Sequence, residues 1–163
     1  MTISRDDFRR AMGLFPGAVT LITTGTGDGR RGLTATAVCS VTDSPPSLLV
    51  CLNRATETCA AVAQAGAFSV QLLDDADRAL ALHFAGSGGV RGAGKFSQGD
   101  WGSFANGLPR LDSALAAICC EVAEMSDTGS HRIFIGRITD VRLAPDRGAL
   151  VYARSRFHAI AAE

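Results

Sequence analysis

Residues 32–51 read GLTATAVCSVTDSPPSLLVC, and this stretch limits how the chain can fold. Small residues and threonines alternate through its first half, and two prolines separate them from an apolar run. Because successive side chains of a strand point to opposite faces, one face would present hydroxyl groups and the other little bulk. Such a strand suits either close strand packing at a barrel corner or a flat ligand that lies against the backbone.

Composition limits the class of protein. We expect a single domain over 1–163, since this length suffices for one well-buried core. Sixteen basic and sixteen acidic residues give a formal net charge of zero, which argues against nucleic acid or an acidic membrane as a partner. No apolar run approaches the roughly 20 residues that span a bilayer. Five cysteines, mostly inside apolar runs, predict reduced thiols in a cytoplasmic protein.

Strand-like segments outnumber helical ones. Beside the stretch from Leu33, strands are predicted at 18–24, 47–53, 67–73, 115–125, 132–143 and 149–154. Helices are predicted from Ser4 to Pro16, from Thr56 or Thr58 to Gly66, and over 74–86, and a long glycine-rich loop is predicted at 86–107. The segments lack the regular alternation of a doubly wound parallel sheet. We therefore predict a mainly β protein, an antiparallel barrel with a few peripheral helices.

The sequence argues against three familiar kinds of site. Residues 27–32, GDGRRG, match the G-x-G-x-x-G dinucleotide pattern, but a strand-like segment follows where that motif needs a helix. We interpret them as a hairpin turn in which Asp28-Gly29 supplies positive φ. The three histidines are far apart and no Cys-x-x-Cys occurs, so no metal site is expected. Ser40 lies outside any Gly-x-Ser-x-Gly context, so no hydrolase triad is expected.

Two features of the second half of the chain allow two interpretations each, and a third allows one. His131 opens a strand after Gly129-Ser130, so it is either a half-exposed strand start or a substrate contact. Arg156 and Phe157 follow the last predicted strand, as part of a solvated tail or of a site. The adjacent Cys119-Cys120 should point to opposite faces of a strand as small buried residues.

Hydrogen-bond donors are concentrated after the second strand of the opening stretch. Asn53, Arg54, Thr56 and Thr58 can offer amide, guanidinium and hydroxyl groups near a predicted helix N-terminus, which suits a phosphate. Together with the small residues of the preceding strand, they predict a planar heteroaromatic ligand with a phosphate tail.

The stretch GLTATAVCSVTDSPPSLLVCLNR strongly resembles the flavin-binding core of the short-chain flavin reductases. These are the reductase components of two-component flavin monooxygenases of the 4-hydroxyphenylacetate 3-monooxygenase type. The resemblance extends to AVTLITT, AFSVQLL with HFAG, Lys95-Phe96 before Trp101, GLP at 107–109, Gly129-Ser130-His131 and SRFHAI. A related reductase of pyrimidine catabolism shares the same core.

The resemblance implies an FMN-binding, Greek-key-like split β-barrel that forms a homodimer. It implies FMN or FAD as the flavin, NADH or NADPH as the hydride donor, and a separate flavin-dependent monooxygenase that receives the reduced flavin. The residues implied to hold the flavin are Thr34, Ala35, Thr36, Ala37, Ser40, Val41, Cys51, Leu52, Asn53, Thr56, Thr58, Phe84 and Lys95. His131, the candidate catalytic residue, would face the nicotinamide with Arg156 and Phe157. A non-catalytic flavin-binding electron carrier on the same barrel is the alternative.

Overall fold

Three α-helices and twelve strands form within residues 2–144 and 146–162, the part of the chain that this computed structural model describes. The helices are α1 (Arg5–Met12), α2 (Glu57–Ala65) and α3 (Arg78–Phe84). The strands are β1 (Gly17–Ala18), β2 (Thr20–Thr24), β3 (Arg31–Ala35), β4 (Val38–Asp43), β5 (Pro46–Asn53), β6 (Ala67–Leu72), β7 (Trp101–Ser103), β8 (Pro109–Leu111), β9 (Ala116–Thr128), β10 (His131–Leu143), β11 (Ala149–Ala153) and β12 (Arg156–Ile160). The strand pairs are antiparallel, which confirms the predicted mainly β fold.

Seven strands form one curled sheet in the order β3-β2-β6-β9-β10-β5-β4. Its two edge strands are consecutive in the chain, because β3 ends at Ala35 and β4 begins at Val38. Three Cα–Cα steps span at most about 11 Å, so the two edges of the sheet must lie close together. The edges are not paired with each other, and the sheet is therefore a barrel left open along one side. This arrangement agrees with the predicted split barrel.

Two hydrophobic cores lie on opposite faces of this sheet. One core packs α3 against the sheet through Leu80, Ala81 and Phe84, and the other packs α2 through Cys59 and Val62. The dipeptide Cys119-Cys120 on β9 contributes one residue to each core. Both residues are buried, which confirms the prediction that they point to opposite faces as small core side chains.

The predicted helices are present, with caps that the sequence indicates. Thr56, rather than Thr58, caps α2, since its Oγ1 accepts the Cys59 N–H at 3.2 Å. Gly66 ends α2 in the left-handed region at φ 65°. Ser4 caps α1 by accepting the Asp7 N–H at 3.0 Å. Within the described ranges, no helix is both long and apolar enough to cross a membrane.

The apolar side of α1 has no cover in the described chain. The helix contains no buried residue. Phe8 is 53% exposed, Met12 46%, and Leu14 and Phe15 just beyond the helix are 59% and 67% exposed. We call these four residues the α1 patch. Exposed apolar groups of this size on adjacent positions are typical of a surface that another molecule covers.

The turn between β2 and β3 differs from the prediction in its details. The hairpin itself is confirmed, and the strand that follows 27–32 rules out the dinucleotide motif. Positive φ occurs at Gly25 and Gly27, however, and not at Asp28-Gly29. The connection contains a 3-10 turn at Gly27–Gly29, so it is longer than the two-residue turn that an Asp-Gly pair would form.

The prediction of one long loop at 86–107 is wrong, and the segment after β11, for which the sequence left two interpretations open, forms a strand. The region 86–107 is not one loop, because it contains two 3-10 turns and the strand β7, which pairs with β8. Its order comes from Phe96 and Trp101, whose rings lie 5.2 and 5.5 Å from that of Phe84. The segment after β11 is not a solvated tail, because it forms β12. The turn before β12 is made by Arg154-Ser155, which lacks the glycine, asparagine or aspartate of a typical turn signal.

Candidate functional site

Two adjoining cavities lie at the open side of the barrel. The main cavity has a volume of about 750 Å³ and the side cavity about 690 Å³. They share Thr34, Ala35, Thr36 and Ala85 as lining residues. The end of β3, with its alternating alanines and threonines, therefore forms the wall between the two cavities.

Most of the residues that sequence reasoning selected line the main cavity. Those that do are Thr34, Ala35, Thr36, Ala37, Cys51, Leu52, Asn53, Thr56, Thr58, Phe84, Lys95 and His131. Arg156 and Phe157 line the side cavity instead, so the three residues assigned to the nicotinamide do not share one cavity. Ser40 and Val41 lie exposed on the edge strand β4 and line neither cavity. The role of each residue toward a ligand stays a prediction.

The two residues that link β3 to β4 offer backbone donors. Their carbonyl groups are used, since Thr36 O accepts the Val38 N–H and Ala37 O accepts the Cys51 N–H, each at 3.0 Å. Their N–H groups have no acceptor among the residues that the structure describes. Because Thr36 and Ala37 are exposed and line the main cavity, these two N–H groups are available to water or to a ligand there.

Some of the threonine hydroxyls near the β3–β4 link donate to backbone carbonyls within the protein. Thr34 Oγ1 donates to the Ala81 carbonyl at 2.6 Å and so fastens α3 to β3. Thr20 Oγ1 on β2 donates to the Ala35 carbonyl at 2.7 Å. Thr34 can therefore still accept a hydrogen bond, but its proton is already engaged.

Lys95 holds the wall of the main cavity together. It is the only lysine in the sequence and is buried. Its Nζ donates to the carbonyl of Gly32 at 3.0 Å and to that of Phe84 at 2.8 Å, so it joins β3 to the end of α3. Gly32 permits this approach, because a Cβ there would lie 2.7 Å from Cε1 of Phe84. Burial lowers the pKa of the Lys95 ammonium, and the nearby Glu57 carboxylate opposes that shift.

The N-terminus of α2 lines the main cavity, and its acidic residue, Glu57, is already paired. Glu57 accepts the Gly92 N–H at 2.8 Å and pairs with Arg31 at 3.3 Å. Thr58 is buried behind it, and Arg91 also lines the cavity. The first turn of a helix with its carboxylate already paired suits an anionic group, such as the phosphate that the sequence predicted.

His131 lies at the rim of the main cavity. It is the first residue of β10 and lies opposite Asn53 of β5 in the register. Its Nδ1 lies 2.9 Å from Oγ of Ser130, whose carbonyl accepts the Arg54 N–H at 3.0 Å. The histidine is thus held by the β9–β10 turn and half-exposed, with a ring that can reach a ligand.

Cys51 also lines the main cavity, but the site gives it no chemical role. Burial raises the pKa of its thiol above the ordinary value, so the thiol stays protonated near neutral pH. A protonated thiol is a poor nucleophile, and Cys51 therefore serves as a small apolar wall residue.

Sequence reasoning missed several residues of the two cavities. The missed residues of the main cavity are Leu33, Ala55, Glu57, Ala85, Gly86, Gly89, Val90 and Arg91, and those of the side cavity are Val19, Arg78, Ala81, Leu82, Tyr152 and Ser155. A strand prediction over 156–160 would have found one of them, because it pairs Tyr152 with Phe157 in the hairpin register. Nothing in the sequence around Arg78 indicates that α3 borders a cavity.

Comparisons with known proteins bear on this site. The family model described as "Flavin reductase like domain" matches residues 12–161. The chain is 39% identical to the FMN reductase (NADH) RutF of Pseudomonas syringae pv. syringae, over 99% of this chain and 89% of that protein. It is 36% identical to the 4-hydroxyphenylacetate 3-monooxygenase reductase component of Salmonella typhimurium, over 96% of this chain and 92% of that protein.

A solved structure is similar over the whole fold. The NADH:FAD oxidoreductase SgcE6 of Streptomyces globisporus C-1027, in complex with NAD and FAD fragments, superposes with a TM-score of 0.88 at 28% identity. The match covers 99% of this chain and 97% of that one. Fold and sequence therefore point to the same class of proteins.

Replacing Lys95 with methionine should lower the free energy of unfolding by about 1–3 kcal/mol, because the buried carbonyls of Gly32 and Phe84 lose their donor. Urea denaturation at neutral pH measures this loss. The loss should also grow in alkaline solution. The lowered pKa means that the unfolded chain holds more protons between the folded value and the ordinary 10.5, so the stability that Lys95 contributes rises with pH through that window.

The pH dependence gives this prediction a second readout. The difference in unfolding free energy between the wild type and Lys95→Met should widen as the pH rises from neutrality toward 10.5. Other groups titrate in both proteins and cancel in the difference. A difference that stays constant or shrinks would contradict the assignment of a buried, destabilised ammonium to Lys95.

Proposed function

The chain belongs to the family of flavin reductase-like domains, and we propose that it is an NAD(P)H-dependent flavin reductase. It would transfer hydride from NADH or NADPH to FMN or FAD and supply the reduced flavin to a separate monooxygenase. The observation that carries this proposal is the convergence, in one main cavity, of the β3–β4 link, the N-terminus of α2 and His131. The printed names of the relatives, an FMN reductase (NADH) and a monooxygenase reductase component, support it.

The residues of the main cavity fit a flavin. Leu52 and Phe84 supply apolar surface. The N–H groups of Thr36 and Ala37, which have no acceptor among the described residues, supply donors for the polar edge of a flat ring. The capped first turn of α2 at Thr56 would take the phosphate. In this proposal residues 34–37, Cys51–Asn53, Phe84 and Lys95 would surround the ring, and Thr56 and Thr58 would contact the phosphate.

A bound flavin would supply the hydride acceptor. The residues of the chain then only have to position the flavin and the nicotinamide and to stabilise the charge that develops on the flavin. The N–H groups of Thr36 and Ala37 would stabilise negative charge that develops on the polar edge of the ring. Each N–H is held by a hydrogen bond to the carbonyl of its own peptide group, since Thr20 Oγ1 donates to Ala35 O and the Val38 N–H donates to Thr36 O. These bonds limit the reorganisation of the two N–H groups during the reaction. His131 would orient the nicotinamide at the rim. No general base is needed for a direct hydride transfer.

Ser40 and Val41 belong to a surface that a second copy of the chain would cover. We propose a homodimer, supported by the α1 patch and by further exposed apolar side chains, namely Val41, Met125, Val141, Leu143, Tyr152 and Ile160. In such a dimer the exposed edge strand β4 would bring Ser40 and Val41 to the cavity of the partner. In the single chain these two residues line neither cavity.

We also propose that residues 1–163 act as one domain in the cytoplasm. The family match spans 12–161, and two cores that share one strand favour a single folding unit. All five cysteines are free, as expected for a reducing compartment.

The purified protein should oxidise NADH or NADPH when FMN, FAD or riboflavin is added. Absorbance at the nicotinamide band follows the reaction for each pair of nucleotide and flavin. No oxidation with any pair would overturn the proposed function. A protein that retains flavin but stays inert to both nucleotides would instead support the alternative, an electron carrier without a nicotinamide site.

His131→Ala should raise the KM for the nicotinamide nucleotide by about 2- to 10-fold, the range expected for one lost hydrogen bond, and leave the KM for flavin nearly unchanged. Steady-state kinetics with each substrate varied in turn separates the two constants. His158→Ala is the matched control, because His158 lies exposed on β12 and lines neither cavity. An unchanged nucleotide KM would remove His131 from the site.

Sedimentation should give about twice the chain mass of 16.9 kDa. The double variant Phe8→Ser, Met12→Ser should dissociate at a higher protein concentration, because burial of apolar surface contributes about 25 cal/mol per Å². Gln64→Ser, on the exposed side of α2, is the control and should leave the mass unchanged. A wild-type protein that sediments as a monomer at all concentrations would contradict the dimer.

A further inference from the structure

The turn that carries His131 is fastened to the end of β5 by one arginine. Arg54 directly follows β5, and Gly129 and Ser130 are the two residues that join β9 to β10. The backbone N–H of Arg54 donates to the Ser130 carbonyl at 3.0 Å, and its Nη1 donates to the Gly129 carbonyl at 3.3 Å. Arg54 therefore engages both carbonyls of the turn, immediately before His131.

Two further charged residues fix the guanidinium of Arg54. Its Nη2 lies 3.3 Å from Oδ2 of Asp127, near the end of β9. Arg132, the residue after His131, donates to the same carboxylate through Nε and Nη2, the latter at 2.9 Å. The hydrogen bond from Arg132 lowers the pKa of the Asp127 carboxyl, so the carboxylate stays ionised at neutral pH. We call Arg54, Asp127 and Arg132 the Asp127 cluster, and such a network fixes geometry better than one isolated surface ion pair.

The Asp127 cluster itself does not line either cavity, and neither does Ser130, whereas His131 lines the main cavity. The sequence pattern places Arg54 among the donors for a phosphate. In the structure its guanidinium is engaged with the β9–β10 turn and with Asp127 instead. An effect of Arg54 on a ligand should therefore pass through the residue that its turn carries, which is His131.

Ser130 is placed to set the protonation of the His131 ring. Its Oγ lies 2.9 Å from Nδ1 of His131, and neither this hydroxyl nor Nε2 has another hydrogen-bond partner among the described residues. The hydrogen bond at one imidazole nitrogen determines which nitrogen carries the proton. A hydroxyl that donates to Nδ1 makes Nδ1 an acceptor, so the one proton of a neutral imidazole lies on Nε2. Nε2–H is then a donor available to a ligand in the main cavity.

The nicotinamide ring offers a matching acceptor. Its carboxamide group is attached next to C4, the carbon that gives up the hydride, and the carboxamide oxygen accepts hydrogen bonds. A donor fixed at the rim of the main cavity can therefore hold C4 in place without taking part in the reaction. Because a small misplacement of reacting groups costs much of the rate, the residues that fix this donor affect the reaction without contacting the substrate.

We propose that Arg54 and Ser130 are positioning residues that present His131 to the nicotinamide carboxamide as an Nε2–H donor. The Asp127 cluster fixes the place of the imidazole, and Ser130 fixes which of its nitrogens carries the proton. This inference rests on the proposed function, because it assigns the group through which His131 contacts the hydride donor. Both residues act through His131 and not through a contact of their own with the nucleotide.

The tautomer of His131 is measured by NMR on the protein without substrates. Long-range 15N–1H spectra at about pH 8.5, where an ordinary imidazole is neutral, distinguish a proton on Nε2 from one on Nδ1. The His131 signals, assigned by their loss in His131→Ala, should show Nε2–H in the wild type and a mixture of tautomers in Ser130→Ala. Ser130→Thr keeps the hydroxyl and should restore the wild-type spectrum, and the signals of His158 should not change. A wild-type proton on Nδ1, or a tautomer that ignores Ser130→Ala, would overturn the proposal.

A double-mutant cycle tests whether Arg54 acts through His131. Arg54→Ala should raise the KM for the nicotinamide nucleotide by about 2- to 10-fold, the range of the one hydrogen bond that His131 makes, and leave the KM for flavin nearly unchanged. In the His131→Ala background the same substitution should add no further rise. An equal rise in both backgrounds would mean that Arg54 acts independently of His131, and it would contradict the proposal.

Arg142→Ala is the matched control, because the Arg142 side chain is 43% exposed against 48% for Arg54 and lines neither cavity. It also engages both an aspartate carboxylate and a backbone carbonyl, in this case those of Asp112 at 3.8 and 3.0 Å. Its two KM values should equal those of the wild type. Thermal unfolding of each variant verifies that the fold is retained.

The two experiments separate this proposal from the proposed function. Inactivity of the wild type with every pair of nucleotide and flavin would overturn the flavin reductase assignment. The tautomer measurement needs no turnover, so it tests the role of Ser130 in either case. An active enzyme in which the His131 tautomer is independent of Ser130, or in which Arg54 and His131 act independently, would overturn only the positioning role.

Discussion

The two-residue link between β3 and β4 is the constraint on which the rest of the structure depends. It joins the two edge strands of a seven-stranded sheet, so the sheet has to curl until those edges meet. That curl brings the end of β5 and the start of β10 to the same place as β3. Residues that are far apart in the sequence, such as Thr36, Asn53 and His131, thereby line one cavity. The position of the site is a direct result of how the sheet curls.

The same constraint explains why the main cavity offers backbone N–H groups to a ligand more than titratable side chains. Where two strand edges are joined but not paired, backbone N–H groups can stay without partners, and those of Thr36 and Ala37 have no acceptor in the described part of the chain. Such groups are fixed dipoles that need no proton transfer to act, and they suit a ligand whose own ring carries the reaction. The charged residues near them, Glu57 and Lys95, are engaged with Arg31 and with backbone carbonyls. Glu57 and Lys95 therefore shape the cavity, and the backbone N–H groups are the donors that a ligand would contact.

The sequence predicted the elements of the fold better than the connections between them. Strands such as 47–53 and the capped α2 follow from local patterns, because their apolar residues and caps lie within one segment. The strand β12 was missed because the Arg154-Ser155 turn lacks a glycine, asparagine or aspartate, and its backbone is held by a distant contact with Gly13. The side cavity was missed for the same reason, since Arg78 meets Phe157 only through the tertiary fold.

Lys95 has a consequence for the chemical reactivity of the whole chain. It is the only lysine, and its amine donates to two carbonyl groups in the wall of the main cavity. The remaining basic side chains of the sequence, apart from the histidines, are arginines, so the folded surface offers guanidinium groups but no lysine amine. Because Lys95 lines the main cavity, an acylating reagent reaches a lysine amine of this chain through that cavity. Acylation of Lys95 would therefore report on access to the main cavity and on how firmly α3 is held against β3.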